Sequence, residues 1–453
     1  MELTKKTVLV VGAGISGVSA TKLLATLECN VILMEGNVNR NKEEILSQLT
    51  GINSVNVILG EPDENLIALV DCVVVSPGVP VDTPFITQFS KNKIPVIGEI
   101  ELASFFEQGR IIAITGTNGK TTTTALVGHI MKHYYQEVLV VGNIGMPYTM
   151  EVMKTTKDSV TVVEVSSFQL ETINEFCPQV SAILNITPDH LNRHHTMEQY
   201  FQAKLNVTKN QRAAQTCVLN YEDEWLRGLH NKLQSNVVYF SSMQPLTDGY
   251  YLEGKDICIA TKGQSHKLLN VEELLILGLH NYENVMAAIA MATALGVPME
   301  TIIKAVKTFT AVEHRIEYVA EIDGVKYYND SKGTNPDAAI KAIQAMTGPT
   351  VLIGGGYDKD STYDEWIESF DGKVKKLLLL GQTREKIAEC ARNNGFNDYQ
   401  FVDTLEEAVE IAAAIAVPFD SVLLSPACAS WGMFKNFEER GQLFKQYVKA
   451  LSR

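Results

Sequence analysis

Residues 113–124 read AITGTNGKTTTT: a short β-branched run, a glycine turn, then residues able to open a helix. The spacing departs from the full phosphate-loop pattern G-x-x-x-x-G-K-[ST], because Ile114 stands at the first glycine position. What remains, Gly116-Thr117-Asn118-Gly119-Lys120-Thr121, keeps the working parts. Successive backbone N–H groups of such a loop cradle phosphates, Lys120 can reach β- and γ-phosphate oxygens, and the Thr121 hydroxyl can ligate Mg2+. The alternative is an ordinary capped helix with a surface lysine, which leaves the joint occurrence of strand, glycines and lysine without a cause.

Outward from this stretch the same rhythm recurs. TVLVVGAG (7–14), NVILME (30–35), DCVVVSPG (71–78), VTVVEVSS (160–167), VSAILNIT (180–187), PTVLIGG (349–355), KLLLLG (376–381) and SVLLSPA (421–427) are apolar runs, each followed by a turn residue and amphipathic sequence. Such alternation marks βαβ units with buried parallel strands. Strand–glycine–helix openings at Val8, at Ile111 and near Val325 predict an α/β chain of three lobes, divided as 1–98, 99–310 and 311–453. The runs NVVYF, GYYLE, DICIATKG and HKLLNV between 237 and 270 break the rhythm and are expected to form antiparallel hairpin strands.

Length and composition bound the function. The 453 residues are 45% hydrophobic and 20% charged, with 39 basic and 53 acidic side chains and a formal charge of −14. Such a chain repels a phosphate backbone, so nucleic acid is not an expected partner. Anionic ligands must be met by local donors. The cysteines at 29, 72, 177, 217, 258, 390 and 428 are odd in number and contain no C-x-x-C pair, which argues against a disulfide framework or structural zinc and for a reducing compartment. Residues 1–17 enter a strand and glycine turn directly, and the most apolar helical stretch, Val285–Leu295, is too short to span a bilayer. A cytoplasmic protein without a membrane partner is expected.

Further motifs sit at the expected strand ends. GAGISG, with Gly12, Gly14 and Gly17, is followed by an acid, Glu35, at the end of the next strand; glycines there permit a tight turn and close approach to a phosphate. The pattern suits a nucleotide, NAD or FAD included, or a turn that binds nothing. Glu164 ends a run expected to be buried, where a carboxylate is costly unless paired or on a metal, so a Mg2+ ligand is the favoured reading. His190 follows another strand end and Lys204 lies on a helix fourteen residues later; neither counts alone. NDSKGTNP from Asn329, IGGGYDKD (353–360) and SPACASWGMFKNFEERG (425–441) gather hydroxyls and lysines suited to carboxylates or phosphates.

Together GTNGKTTT, EVSSFQLE, NITPDHLNRH, HNYENVMAA, EHRIE, NDSKGTNP, GGYDKD and SPACASWGMFKNFEERG resemble the Mur ligase family along the whole chain. The last three, with SPGV from Ser76, resemble its D-glutamate-adding branch. The resemblance implies a Rossmann-like N-terminal lobe for a UDP-linked substrate, a central P-loop ATPase lobe with a small antiparallel sheet, and a Rossmann-like C-terminal lobe. It assigns Gly14, Ile15, Ser16, Glu35, Gly36, Ser76 and Asn143 to the UDP-linked substrate, with Glu35-Gly36 where relatives often carry Asp. It assigns Gly116, Thr117, Asn118, Gly119, Lys120, Thr121, Thr122, Asn281, Asn284, Arg315 and Asp330 to ATP, and Lys332, Thr334, Lys359, Ser430 and Phe437 to D-glutamate.

The same resemblance implies that Lys204 is carbamylated. One Mg2+ would lie on Thr121 and Glu164, and a second on His190 and the Lys204 carbamate. Lys120, Glu164, His190 and Lys204 are thus the expected catalytic set. The implied reaction phosphorylates the carboxylate of UDP-N-acetylmuramoyl-L-alanine with ATP and lets the D-glutamate amine displace phosphate, on a monomer whose third lobe closes over the substrates. A folylpolyglutamate synthetase-like ligase, a nicotinamide dehydrogenase resting on GAGISG, and a nucleotide switch without bond-forming chemistry are the competing classes.

Overall fold

The computed structural model describes residues 2–52, 55–60, 66–143, 145–310, 312–358 and 361–451. Apolar β-branched runs form the interior of three sheets, and the chain divides into two compact units. The first unit comprises residues up to Leu269 together with Glu283–Val306; the second comprises Asn270–Tyr282 and the chain from Lys307.

The first unit holds two of the sheets. The N-terminal sheet has five parallel strands in the order Val55–Leu59, Asn30–Glu35, Thr7–Val11, Cys72–Val75 and Val96–Gly98. Its order reverses beside Thr7–Val11, which opens the crevice where ligands bind in doubly wound sheets. The central sheet has nine strands, with Arg110–Thr115 between Val160–Glu164 and Val180–Ile183, all parallel. Val160–Glu164 is buried throughout, and the core beneath it includes Val163, Val165, Leu170 and Ile183.

The runs after residue 236, expected as antiparallel hairpins, extend the central sheet and pair in parallel at first. Asn236–Ser241 pairs parallel with Thr216–Asn220 and with Gly249–Glu253, so it continues the central sheet. Antiparallel pairing begins only between Gly249–Glu253 and Asp256–Thr261, where a tight connection allows a hairpin. Gln264–Asn270 then forms the edge of the same sheet.

The second unit carries six strands in the order Glu317–Ile322, Val325–Asn329, Ser421–Leu424, Thr350–Gly354, Val374–Leu379 and Tyr399–Phe401. All neighbours are parallel except the first pair, a hairpin. Helices Pro336–Ala345 and Phe437–Ala450 begin at Asn335 and Asn436, whose side chains accept from backbone N–H groups of the first turn. These caps fix the strand-to-helix turns that hold the site residues.

Candidate active site

The strand Arg110–Thr115 delivers the loop 116–119 to the N-terminus of the helix Lys120–Lys132. Two glycines make this turn possible. Gly116 has φ +146°, and a Cβ there would meet Leu184 Cβ at 3.0 Å; Gly119 caps the helix at φ +83°, where a Cβ would lie 2.4 Å from Asn284 Oδ1. Neighbouring segments pin the loop. Thr117 N–H donates to the Asn185 carbonyl at 2.9 Å, and Asn118 N–H donates to Asn185 Oδ1 at 2.7 Å. Lys120 Nζ folds back onto the Gly116 and Thr117 carbonyls, at 3.0 and 2.9 Å. Thr121 is half-buried, Thr122 is buried, and Thr123 Oγ1 donates to Asn284 Oδ1 at 3.1 Å.

Lys204, near the end of the helix Met197–Leu205, is only 2% exposed and donates from Nζ to the Gly116 carbonyl at 2.8 Å. Its ammonium also lies over the Tyr200 ring, 4.6 Å from the centroid. Burial first, and then the neighbouring Lys120 charge, bring its pKa down to about 7, against an opposing pull from Asp189 and Glu164. A sizeable neutral fraction at neutral pH gives this amine the nucleophilic form that a surface lysine lacks.

Glu164 ends its strand 1% exposed. Oε1 accepts from Asn143 Nδ2 at 2.9 Å, whereas Oε2, fully buried, has no hydrogen-bond partner among the described residues. A lone carboxylate oxygen in that setting is costly and suits a cation. His190 has φ +51° and packs 4.9 Å from the Phe168 ring, with Nε2 3.4 Å from Asp189 Oδ2. Among the described residues no three His, Cys, Asp or Glu side chains form a metal cage. The Glu164 oxygen without a partner among the described residues nevertheless fits a divalent cation, and Lys204 would fit one through the oxygens of a carbamate.

In the N-terminal sheet the glycine turn is tight for identifiable reasons. A Cβ on Gly12, at φ +95°, would meet Ser76 at 3.0 Å, and one on Gly17 would lie 1.8 Å from the Gly12 carbonyl. Ser76 Oγ donates to that carbonyl at 3.0 Å. Gly14 faces open space, Ile15 is 78% exposed, and Ser16 is half-buried. Glu35 is already engaged: Oε2 accepts from Ala13 N–H at 3.1 Å and Oε1 from Asn37 N–H at 3.1 Å. A cleft of about 630 Å³ opens here, lined by Gly12, Glu35, Gly36, Val79, Phe85 and others. Asn143, expected at the UDP-linked substrate, donates from Nδ2 to Glu164 Oε1 at 2.9 Å.

In the second unit Asp330 is buried; Oδ2 accepts from Ser425 Oγ at 2.7 Å and Oδ1 from Ile316 N–H at 3.3 Å. Burial pushes its pKa up to about 7 despite those bonds and the charges of Arg315 and Arg440. Arg315 is exposed, and Asn281 donates to the Leu277 carbonyl at 2.7 Å. Lys332 lies over the Phe437 ring at 5.7 Å, Thr334 is half-buried and Ser430 is buried. Lys359 lies outside the described residues.

One group escaped the sequence reading. Arg440 is 1% exposed and forks onto the Ser331 carbonyl at 2.8 Å, Ser331 Oγ at 3.0 Å and the Cys428 carbonyl at 3.2 Å. It organises the loops that carry Lys332 and Ser430. Its only signal was its place inside FEERG, since burial of an arginine has no local sequence signature.

Family models match three segments of the chain. The Mur ligase MurD-like N-terminal domain matches residues 6–98, the Mur ligase middle domain 114–292, and the Mur ligase glutamate ligase domain 314–428. Proteins named UDP-N-acetylmuramoylalanine--D-glutamate ligase are similar over 100% of the chain. Those of Lachnoclostridium phytofermentans and Lachnospira eligens are 56% and 54% identical, with 99% and 100% of their own lengths covered. The one from Clostridioides difficile is 48% identical, covered over 100% of its length. In fold the chain is similar to the UDP-N-acetylmuramate-alanine ligase of Thermotoga maritima, with TM-score 0.59, 20% identity, and 98% and 100% of the two chains covered. The chain belongs to the Mur ligase family.

Proposed function

We propose that the chain is an ATP-dependent ligase that joins D-glutamate to UDP-N-acetylmuramoyl-L-alanine during peptidoglycan precursor synthesis. Relatives of that name span its full length. The structural observation that carries it is the loop Gly116–Thr121, with the two lysines Lys120 and Lys204 on one carbonyl and, on the neighbouring strand, a Glu164 oxygen without a partner among the described residues. This is equipment for bringing two anions together.

A carboxylate has no leaving group. An oxygen of the L-alanyl carboxylate attacks the γ-phosphorus of ATP and ADP departs, leaving an acyl phosphate. The unprotonated D-glutamate amine then adds to the acyl carbon, loses a proton, and expels phosphate to leave the amide. Lys120 and the backbone N–H groups of residues 119–121 hold the ATP phosphates and offset charge in the first step, while Gly116, Thr117 and Asn118, the last two tied to Asn185, shape the loop around them. Mg2+, when bound by Thr121 and Glu164 and by His190 and a Lys204 carbamate, supplies the remaining positive charge. The neutral amine of Lys204 would add to the carbon of carbon dioxide and release one proton to solvent, leaving the carbamate, and its lowered pKa favours that neutral form.

The cleft lined by Gly12, Glu35 and Gly36 receives the uridine diphosphate, and Gly14, Ile15, Ser16, Ser76 and Asn143 serve the same substrate, with the helix that begins at Ile15 offering its N-terminus to phosphate. Asn281, Asn284, Arg315 and Asp330 serve ATP, and Lys332, Thr334, Lys359, Ser430 and Phe437 serve D-glutamate. The protein works as a cytoplasmic monomer on small molecules. Among the described residues no helix is long and apolar enough to cross a membrane. ADP release by the purified protein tests the reading. Release should require both the UDP-linked acceptor and D-glutamate; release with a folate-type acceptor instead would refute it.

A further inference from the structure

The segment after His190 holds an arginine that the reaction above does not use. Helix Leu191–His194 is bracketed by two non-glycine residues in the left-handed region, His190 at φ +51° and His195 at φ +62°. Arg193 projects from it with its side chain 13% exposed. One terminal nitrogen, Nη2, donates to Glu171 Oε2 at 2.6 Å and to the Val79 carbonyl at 3.0 Å, while Nε donates to Glu171 Oε1 at 3.4 Å. Its guanidinium also lies over the Phe168 ring, 5.0 Å from the centroid.

Each end of this arrangement leads to a site. Val79 lines the cleft of the N-terminal sheet, its N–H donates to the Ser76 carbonyl, and its Cγ2 would be 3.2 Å from a Cβ on Gly12. On the other side Phe168 touches the His190 ring, at 4.9 Å, and stacks on His194, at 5.4 Å. Glu171 Oε1 is 3.4 Å from His194 Nδ1, and His194 Nε2 is 2.9 Å from Ser167 Oγ. Ser167 follows Glu164 by three residues, as Arg193 follows His190.

We infer that Arg193 is a positioning residue that ties the mouth of the Gly12–Val79 cleft to the segments bearing His190 and Glu164. Seating the UDP-linked acceptor against Val79 sets Arg193, and through Glu171 and Phe168 sets the groups that receive the acceptor's carboxylate. The geometry requires a planar fork, because two partners on different loops share one guanidinium. A lysine supplies charge to Glu171 but cannot hold both in the same plane. The inference rests on the proposed function, since it takes the cleft as the acceptor's seat.

Kinetics of Arg193→Gln and Arg193→Lys test it, alongside calorimetric binding of the acceptor without ATP. First, wild-type protein must release ADP with both substrates; if it does not, the proposed function fails before the variants are read. Given an active wild type, both variants should bind the acceptor more weakly and show its KM raised by about tenfold. KM for ATP should stay within about twofold, and Arg193→Lys should keep a near-normal thermal midpoint. An acceptor Kd and KM unchanged in Arg193→Lys would overturn the inference. So would equal rises in all three KM values, the mark of a general loss of structure.

Discussion

Lys204 and Lys120 donate to the same carbonyl oxygen, that of Gly116, at 2.8 and 3.0 Å. Two ammonium groups on one acceptor repel each other, and only one of them is deeply buried. Burial first, and then the Lys120 charge, bring the Lys204 pKa down to about 7, which makes its amine available for chemistry.

Lys204→Ala and Lys204→Arg should both lose about 100-fold or more of the ADP release rate, because neither offers a carbamate. Added acetate should restore part of the alanine variant's activity by filling the vacated space with a carboxylate. An active arginine variant, or an alanine variant indifferent to acetate, would show that Lys204 acts as a plain cation.

Gly119→Ala should be harmful twice over. The added Cβ meets Asn284 Oδ1 at 2.4 Å and the backbone sits at φ +83°, which costs on the order of 1–3 kcal/mol in strain alone. Urea unfolding should show that loss, and ATP-dependent turnover should fall with it. Stability unchanged from wild type would mean that the loop does not hold this conformation.

Glu99 offers a test of pH dependence away from the reacting groups. It is 2% exposed, accepts from Gln169 Nε2 at 2.6 Å, and leaves Oε2 without a partner among the described residues. Burial pushes its pKa up to about 7, against the opposing Gln169 bond. Between the ordinary glutamate pKa of 4.5 and about 7 the folded protein holds a proton that the unfolded chain releases. Its contribution to stability is therefore fully present at acid pH and lost as pH rises through about 7. Glu99→Gln should match wild type near pH 4 and exceed it near pH 8 in urea unfolding. The reverse order would place an ionised, stabilised carboxylate at this position.

Arg440→Met should remove a buried fork and leave the Ser331 and Cys428 carbonyls unpaired. A loss of about 2–5 kcal/mol is expected in urea unfolding. A change under about 0.5 kcal/mol would mean that those loops are held by other contacts.

Much of this was readable along the chain. The glycine and lysine spacing at 116–120 marked a tight strand-to-helix turn, and the apolar run before Glu164 announced a buried carboxylate. What escaped was contact over distance. Lys204 meets Gly116 across 88 residues, and nothing within the helix Met197–Leu205 reveals it. Arg193 and Arg440 look like solvated cations until folding buries them against carbonyls. The direction of Asn236–Ser241 escaped too, because closely spaced strands resemble hairpins whichever way they pair.

Activation of the acceptor carboxylate as an acyl phosphate leaves an isotopic trace in the phosphate released. UDP-N-acetylmuramoyl-L-alanine labelled with 18O in its alanyl carboxylate would be turned over with ATP and D-glutamate, and the phosphate released examined by mass spectrometry. The expected result is one carboxylate oxygen in each phosphate formed. Unlabelled phosphate accompanying full amide formation would contradict the account.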